Sequence, residues 1–383
     1  MIYDAAVIGA GAMGSAALWR CSMRGAKVIG FEQFYPGNDK GSSYGESRMI
    51  HAVSFADPYY TPFVLQSMHI WRELEDVCGL SLVRSNGALI TATADSVFLQ
   101  KTEQSAQEHQ VPYTLLTSVE HNTKYPQRIV RDNEITLYEK NAGFALPEAC
   151  IVNMAEQALL HGADIRSGAK VTNIAWKTDT AVISAEHTEF KARRVIFCAG
   201  AWTKWLIPDL HLPLEVERQV QFWTLPCRAE DAEPGGDFAP EQFPVFLHEY
   251  APDSLMFGYP SLDSRTIKLV ARQTGQITHP DMLDRIAHQE DAEVVTAYIN
   301  TFLPGLIPEP LNAKVCMYTN TPDKRFILGA PNAYPTAILL AGFSGLGFKF
   351  APIFGDIAAD LALTGATAWD ISQFSPDRFQ ENN

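Results

Sequence analysis

The sequence predicts an α/β fold in which a parallel-sheet domain, assembled from separated segments, carries an inserted antiparallel-sheet domain. Three observations support this: a glycine motif between two apolar strands at the N-terminus, further strand and helix patterns later in the chain, and short alternating strands between them. The chain has 383 residues, 46% of them hydrophobic, which is enough for at least two cores. We expect the first domain to comprise 1–78, 144–212 and 311–383, and the second to comprise 79–143 and 213–310.

Charge and cysteine content exclude several classes of protein. The net charge is −14 and no Lys/Arg-rich run interrupts it, so neither nucleic acid nor an anionic membrane surface is an expected partner. No apolar stretch approaches the roughly 20 residues that span a bilayer. The N-terminus carries Asp4, lacks a basic lead segment and is not a signal peptide. The six cysteines show no C-x-x-C spacing, which indicates a reduced, cytoplasmic chain without a metal site.

The first motif is a dinucleotide-binding fingerprint. Gly9, Gly11 and Gly14 form G-x-G-x-x-G between the apolar strand at 5–8 and the strand "AKVIGFE". The first glycine permits a tight turn, the second lets a pyrophosphate approach the backbone, and the third lets the helix pack on the sheet. Glu32, 18 residues after Gly14, can accept hydrogen bonds from ribose hydroxyls. A glycine turn without a ligand is the alternative, but the strand, the helix and the acid together favour a dinucleotide. The acid at position 32 favours FAD or NAD over NADP, and the motif alone does not choose between those two.

Two later segments carry cations. In "TIKLVAR" the period of two places Lys268, Val270 and Arg272 on one face of a strand. That face is either a solvated edge or a cationic wall of a cleft, where a buried lysine stabilises developing negative charge. In "AGFSGLGFKFAP" a glycine loop follows a buried strand and precedes a helix, with Lys349 just ahead of the helix. The loop either brings N–H groups to a ligand or is a simple connection.

A lone cysteine lies between these segments, in "AKVCMYTNTPD", and the pattern gives Cys316 no protein partner. With this stretch the chain resembles the monomeric sarcosine oxidase and N-methyltryptophan oxidase family, over essentially its full length. The resemblance is carried by "GAGAMG" with Glu32, "GSSYGESR", "CAGAW", "IKL", "VCMYTNTPD" and "GFSGLGFKF". It implies a D-amino-acid-oxidase-like fold with a discontinuous Rossmann-like domain. It also implies FAD tethered through its 8α-methyl carbon to Cys316; a structural thiol beside non-covalent FAD is the alternative.

The resemblance also implies roles for individual positions. Arg48 lies by the flavin ring, Lys349 meets the pyrimidine edge where negative charge accumulates, and Lys268 assists oxygen reduction. We count these three as catalytic. The expected cofactor-binding residues are Gly9, Ala10, Gly11, Ala12, Met13, Gly14, Glu32, Gln33, Ser42, Ser43, Ser47, Arg48, Val171, Gly200, Cys316, Gly345, Leu346, Gly347 and Lys349.

The substrate half departs from the family pattern. His51 stands where the family has an arginine that clamps the substrate carboxylate, and Arg272 stands where it has a histidine. Tyr44 and Leu346 replace two further histidines, and Met256 takes the position of a pocket tyrosine. The expected substrate-binding residues are His51, Met256, Arg272 and Lys349. We infer a small anionic amine, secondary or N-methylated, whose acid group sits differently or is bulkier, as in an aminophosphonate; sarcosine is disfavoured.

The resemblance implies an oxidase that acts as a monomer. A hydride passes from the amine to flavin N5, the imine hydrolyses, and molecular oxygen reoxidises the flavin to give hydrogen peroxide. Three alternatives remain. A dehydrogenase that uses a quinone or carrier protein would share every FAD motif, and a non-catalytic protein could merely retain a flavin. An NAD dehydrogenase is disfavoured because only one complete glycine fingerprint is present.

Overall fold

The computed structural model describes residues 1–272 and 275–379, so the expected domain ranges also cover a few residues, 273–274 and 380–383, that lie outside the described residues. The strands are β1 Ile2–Ile8, β2 Val28–Glu32, β3 Arg48–Ile50, β4 Val83–Arg84, β5 Ala88–Thr93, β6 Thr114–Thr117, β7 Glu134–Glu139, β8 Gly143–Ala145, β9 Asp164–Ser167, β10 Val171–Trp176, β11 Ala181–Ala185, β12 Thr188–Phe197, β13 Glu215–Thr224, β14 Val245–Ala251, β15 Ser254–Tyr259, β16 Ile267–Arg272, β17 Asn312–Asn320, β18 Ile327–Gly329 and β19 Ala337–Ala341. The helices are α1 Ala12–Met23, α2 Thr61–Cys78, α3 Val97–Glu108, α4 Ser118–Lys124, α5 Pro147–Leu160, α6 Thr203–Leu206, α7 Gln289–Phe302 and α8 Ala351–Thr364.

The first sheet has the parallel core that the apolar strands predict. Strands β9, β2, β1, β12 and β19 lie side by side and run parallel, while β18 pairs antiparallel with β19. The hairpin of β10 and β11 pairs with the first half of β12. Helices α1, α5 and α8 pack together beside this sheet. Alternate residues of β1 enter two different cores, which explains why the run at 5–8 is apolar on both faces.

The second sheet has eight strands in the order β17-β13-β16-β15-β14-β5-β7-β6. Its neighbours are antiparallel except for the parallel pair of β14 and β5. The predicted α/β fold class, with an inserted antiparallel sheet, is confirmed, and the pairing of β14 with β5 is the one parallel pair of this sheet in the described residues. A small third sheet contains β3, β8 and β4.

Strand β17 departs from the expected domain boundary. It pairs with β13 along its whole length, from Asn312 opposite Trp223 to Asn320 opposite Glu215. The sequence boundary at 311 placed it with the parallel sheet instead. The reason for the difference is that β17 joins the second sheet, whereas the chain immediately after it returns to the first sheet as β18 and β19. The strand that carries Cys316 therefore belongs to the second sheet, and the chain crosses to the first sheet only after it.

A core on the far side of the second sheet, which we call the distal core, lies between that sheet and α7. It contains Phe246, Met256 and Met317 from the strands and Tyr298 and Phe302 from α7. The near side of the same sheet faces the carboxyl ends of the parallel strands. Among the helices of the described residues, none combines the length and apolar composition that a bilayer crossing requires.

Candidate active site

A cavity of about 550 Å³, the active-site cavity, lies where the two sheets meet. Its walls come from the ends of β1, β2, β12 and β19 and from the near face of β13, β15, β16 and β17. Ligands of open α/β sheets bind at this edge. The predicted residues that line it are Gly9, Gly11, Ala12, Met13, Glu32, Gln33, Ser42, Ser43, Arg48, His51, Val171, Gly200, Lys268, Cys316, Gly345, Leu346, Gly347 and Lys349.

The glycine turn has the geometry that a pyrophosphate requires. Gly9 has φ +92°, and a Cβ on Gly14 would lie 1.7 Å from the carbonyl oxygen of Gly9, so neither position accepts a side chain. A Cβ on Gly11 would meet no atom within 4 Å. Gly11 also precedes α1, whose first turn has no side-chain cap. Unpaired N–H groups of a helix N-terminus therefore face an open space that suits an anionic group.

The carboxylate of Glu32 stabilises this glycine turn by accepting backbone hydrogen bonds. It accepts hydrogen bonds from the N–H groups of Ala10 at 2.8 Å and Phe34 at 2.9 Å. Burial raises the pKa of Glu32, and the two N–H donors oppose that rise. Each carboxylate oxygen has a second lone pair, so Glu32 can also accept a ribose hydroxyl. Ala10 and Gly14 lie behind the cavity wall rather than in it.

Arg48 organises the polar loop of residues 42–47. Its guanidinium donates hydrogen bonds to the carbonyl oxygens of Ser42, Tyr44 and Ser47. It also lies 3.3 Å from the side-chain oxygen of Gln221, which lines the cavity from β13. Three carbonyl groups of the loop 42–47 thus bind one guanidinium. These bonds hold the loop in one conformation although it contains no helix or strand.

Lys268 points into the protein, not into solvent. Its side chain is on the near face of β16 and the residue is 3% exposed. The ammonium donates to the carbonyl oxygens of Gly45 and Ser47, the latter at 2.9 Å, and lies 4.8 Å from the centre of the Tyr259 ring. Burial lowers the pKa of Lys268 well below its ordinary value, and the charge of Arg48 lowers it further. The cationic-wall interpretation of this strand therefore fits the structure, and the solvated-edge alternative does not.

The thiol of Cys316 lies in the same cavity. Cys316 is opposite Gln219 in the pairing of β17 with β13 and is 3% exposed. Burial raises its pKa, while the charges of Arg48 and Lys268 lower it. All six cysteines are free thiols, and no cluster of metal-ligating side chains occurs within residues 1–272 and 275–379. A side-chain hydrogen bond to Gln221 also lowers the pKa of this thiol, so Gln221 and the two cations favour the thiolate while burial opposes it.

Lys349 and His51 form a buried pair at another wall. The ammonium of Lys349 donates to Nε2 of His51 at 2.9 Å and to its carbonyl oxygen at 3.2 Å. Nδ1 of His51 lies 2.6 Å from the carbonyl of Val53, which can only accept, so Nδ1 carries the proton. Burial and the charge of Lys349 lower the pKa of His51 well below its usual range. Burial lowers the pKa of Lys349 to about 7, opposed by the carboxylate of Glu139.

Glu139 was missed by sequence reasoning. It is 1% exposed at the end of β7, and its carboxylate accepts from the N–H groups of Ala52 at 2.9 Å and Val53 at 3.3 Å. It thereby fixes the turn that presents His51 to Lys349. Burial raises the pKa of Glu139, and the two N–H donors and Lys349 oppose that rise. An acid at the end of an apolar strand was the available signal, but its partner lies 87 residues away.

The structure corrects the placement of Met256. Its side chain is fully buried in the distal core, opposite Ala271 in the strand pairing. Because alternate strand residues point to opposite faces, Phe257 and Tyr259 line the active-site cavity instead. Their partners across the sheet are Val270 and Lys268, which line it too. Which residues of "SLMFGYP" face the cavity is determined by the pairing of β15 with β16, and the sequence alone does not show that pairing.

Two further predicted residues lie beside the cavity rather than in its wall. Ser47 supports Lys268 through its carbonyl and hydroxyl oxygens, the latter at 3.4 Å. Arg272 borders a second cavity of about 1000 Å³, which we call the outer cavity. Tyr318, which sequence reasoning did not single out, lines both cavities. The alternation of β17 was the available signal, since residues 316 and 318 share a face.

These residues fit FAD, the cofactor implied by the sequence resemblance. The open space at Gly11 and the uncapped start of α1 suit the pyrophosphate, and Glu32 suits the ribose. Further along the same cavity lie the thiol of Cys316 and the ammonium groups of Lys268 and Lys349. Cations suit a ring that becomes negative on reduction.

Comparisons with known proteins agree with this arrangement. The family model described as "FAD dependent oxidoreductase" matches residues 4–361. A monomeric sarcosine oxidase from Streptomyces avermitilis is 35% identical over 98% of this chain and 97% of its own length. An N-methyl-L-tryptophan oxidase from Citrobacter koseri is 30% identical over the full length of both chains. The solved structure of a Tyr258Phe mutant of NikD, an amino acid oxidase, superposes with a TM-score of 0.85 at 22% identity, covering 98% of this chain and 97% of that one.

Proposed function

The chain belongs to the FAD dependent oxidoreductase family, and on this premise we propose that it oxidises a small anionic amine, secondary or N-methylated, and passes the electrons to molecular oxygen. The observation that carries the proposal is one cavity that holds the Cys316 thiol, the Lys268 ammonium and the pair of Lys349 and His51. Relatives named as oxidases of sarcosine and N-methyl-L-tryptophan support an N-methylated substrate.

Lys349 binds the acid group of the substrate. Two of its N–H groups are occupied by Nε2 and the carbonyl of His51, so the protonated form has one N–H left for an anion. Its pKa is lowered to about 7, and a bound anion favours the protonated form. The affinity of Lys349 for an anion is therefore greatest below about pH 7 and falls as pH rises above that value, because the unoccupied side chain loses its proton. The decline ends at the higher pH where the anion-bound side chain also loses its proton.

The apolar walls keep the amine uncharged. Phe257, Val270, Phe343 and Leu346 line the cavity together with the Tyr259 ring, and a charged ammonium is costly to desolvate there. Bound FAD would supply the hydride acceptor for the C–H bond next to the amine and return both electrons to oxygen as hydrogen peroxide. The product imine hydrolyses in water to a carbonyl compound and an amine.

Lys268 stabilises the negative charge that oxygen gains on reduction. Its ammonium is held by the carbonyls of Gly45 and Ser47 and is withdrawn from water, so its field is weakly screened. Burial favours the neutral amine, whereas a negative charge beside it favours the ammonium. Negative charge on the neighbouring oxygen therefore stabilises the ammonium that the two carbonyl groups hold.

We further propose that FAD is bonded to Cys316 through a thioether. The thiol lies in the cavity wall, and the charges of Arg48 and Lys268 favour its thiolate against the effect of burial. A thiolate is the form that attacks an electrophilic carbon. The bond would replace one C–H bond of the 8α-methyl group: the hydrogen would leave as a proton, and the electron pair would remain on the flavin until molecular oxygen removed it as hydrogen peroxide. Non-covalent FAD beside a structural thiol is the alternative.

The experiment is an anaerobic panel of N-methyl amino acids, cyclic imino acids and aminophosphonates, scored by loss of flavin absorbance. We expect at least one anionic secondary amine to bleach the flavin, and oxygen admitted afterwards to give one peroxide per amine oxidised. Lys349→Met should raise the amine concentration needed for bleaching by about 100-fold, since it removes the charged partner of the acid group.

Other outcomes would contradict the proposal. Bleaching followed by turnover with a quinone but without peroxide would make the protein a dehydrogenase. A flavin that no amine bleaches would indicate a binding protein without catalysis.

A further inference from the structure

The outer cavity meets the active-site cavity at Tyr318 and Arg272. Tyr318 lines both cavities. Arg272 lines the outer cavity, and its guanidinium lies 3.5 Å from the carbonyl oxygen of Ser344, a residue of the active-site wall. The near face of β16 continues across this junction, from Lys268 through Val270 to Arg272. The two cavities therefore share one strand face and one lining residue, Tyr318.

The guanidinium of Arg272 lacks an anionic partner in the described part of the chain. No carboxylate of residues 1–272 and 275–379 lies within 4.0 Å of it, and its contact with Ser344 is at the outer limit of a hydrogen bond. Arg272 is nonetheless half-buried. A partly desolvated cation without an anion is costly, and proteins keep such groups where a ligand completes them.

The hydroxyl of Tyr318 is a second hydrogen-bond donor, beside the guanidinium of Arg272, that is available to a ligand. The Tyr318 ring is half-buried at the junction, and its hydroxyl makes no hydrogen bond to any residue that the structure describes. Burial raises the pKa of Tyr318, whereas the nearby charge of Arg272 lowers it, so the two groups share one environment. A neutral hydroxyl and a guanidinium together suit a carboxylate or phosphonate.

The acids of the outer cavity do not satisfy Arg272. The carboxylate of Glu217 accepts from the N–H of Gly275 at 2.6 Å, from the side chain of Gln219 at 2.8 Å and from that of Asn320. The other acids that line the cavity are Asp95, Glu249 and Asp253, of which Asp95 and Asp253 are exposed and Glu249 bonds to Ser96. The cations Lys101, Arg131 and Lys324 are exposed at the rim.

We propose that Arg272 and Tyr318 form a second anion subsite, and that the substrate is an amine carrying two anionic groups. One group binds Lys349 and the other binds Arg272. This inference rests on the proposed function and names its substrate class, an N-(carboxyalkyl) or N-(phosphonoalkyl) amino acid. Arg272 lies four positions along β16 from Lys268, about 13 Å between Cα atoms. The length of the linker between the amine and the second anion is therefore varied in the test.

The test measures binding separately from oxidation. Thioethers in which sulfur replaces the amine cannot be oxidised at nitrogen, so (methylthio)acetate reports the first subsite alone. Its S-(carboxyalkyl) analogues, with linkers of one to four carbons, report both. Affinities for the flavin-loaded enzyme are measured by calorimetry at pH 6.5. We expect the best dianion to bind at least about tenfold tighter than the monoanion, as one additional charged hydrogen-bonded contact provides.

Three variants test which residues cause the tighter binding of the dianion. Arg272→Gln should remove the tenfold preference while leaving the monoanion within about twofold. Tyr318→Phe should reduce it about threefold, the loss of one neutral hydrogen bond. Lys101→Gln, which removes an exposed cation of the same cavity, is the matched control and should leave both affinities unchanged. The flavin absorbance spectrum of each variant verifies that the fold is retained.

The outcomes separate the two proposals. Equal affinity for monoanion and dianion, or equal losses for both in Arg272→Gln, would overturn the second subsite even if amines bleach the flavin. A dianion preference that Arg272→Gln abolishes would support the subsite even if no amine were oxidised, in which case the proposed function fails. Absence of all binding and all bleaching would overturn both.

Discussion

At the scale of single residues, a substitution of Lys268 should affect flavin reoxidation by oxygen and flavin reduction by substrate to different extents. Lys268→Met keeps the length of the side chain but removes the buried charge beside Gly45 and Ser47. We expect reoxidation by oxygen to slow by about 100-fold or more, because a preorganised charge contributes that much when charge develops next to it. Flavin reduction by substrate should change far less. Stopped-flow absorbance, with the two steps followed separately, measures both rates.

Lys314 is a matched control, because its ammonium lies near the same ring, that of Trp223, as the ammonium of Lys268. The ammonium groups of Lys268 and Lys314 lie 5.6 Å and 5.2 Å from the Trp223 ring, but the Lys314 side chain is 42% exposed. Lys314→Met should leave both rates unchanged. Equal losses in the two half-reactions of Lys268→Met would show that Lys268 binds the substrate and that the oxygen role is wrong.

At the scale of elements, the phase of β17 decides where a tether can form. Val315 and Met317 pack into the distal core, so the residue between them, Cys316, faces the cavity. Acid-precipitated wild-type protein should remain yellow, and Cys316→Ser should release the colour into the supernatant because a hydroxyl does not form the thioether. Cys198→Ser is the control, since Cys198 also lines the cavity and should leave the colour on the protein. A colourless wild-type precipitate would contradict the tether.

At the scale of the whole molecule, His121 and His248 join His51 as buried histidines that make stability depend on pH. His248 bonds Glu134 at 3.0 Å and Tyr298 at 2.8 Å, and burial lowers its pKa to about 4. Burial also lowers the pKa of His121, to about 2. The unfolded chain therefore binds more protons below pH 6.5, so the free energy of unfolding falls as pH falls from 6.5 toward 4. At pH 5 each histidine accounts for about 2 kcal/mol of the loss.

Urea unfolding at pH 7 and pH 5 measures this loss. His248→Gln should be less stable at pH 7 but should show a shallower dependence on pH, because one of the buried titrating histidines is gone. His69→Gln, at an exposed position of α2, serves as the control and should keep the wild-type dependence. A wild-type midpoint that is equal at both pH values would contradict the buried neutral histidines.

The sequence by itself determined the features that depend on near neighbours along the chain. The glycine turn at Gly9, the alternation that places Lys268, Val270 and Arg272 on one face and the glycine loop before α8 follow from backbone sterics and strand period, which act within a few residues. Which way the face of Lys268 points was left open by the sequence. These features were predicted correctly in kind, and with the family motifs they predicted FAD. The α/β class followed from the same local patterns.

Only the tertiary structure decided which strands meet and therefore which faces share a cavity. The register of β15 against β16 turned Phe257 inward and Met256 into the distal core. The pairing of β17 with β13 brought Cys316 to the cavity, and β7 delivered Glu139 to the turn that holds His51. Strand register is set by pairing and burial between segments far apart in sequence, and no local pattern carries that information.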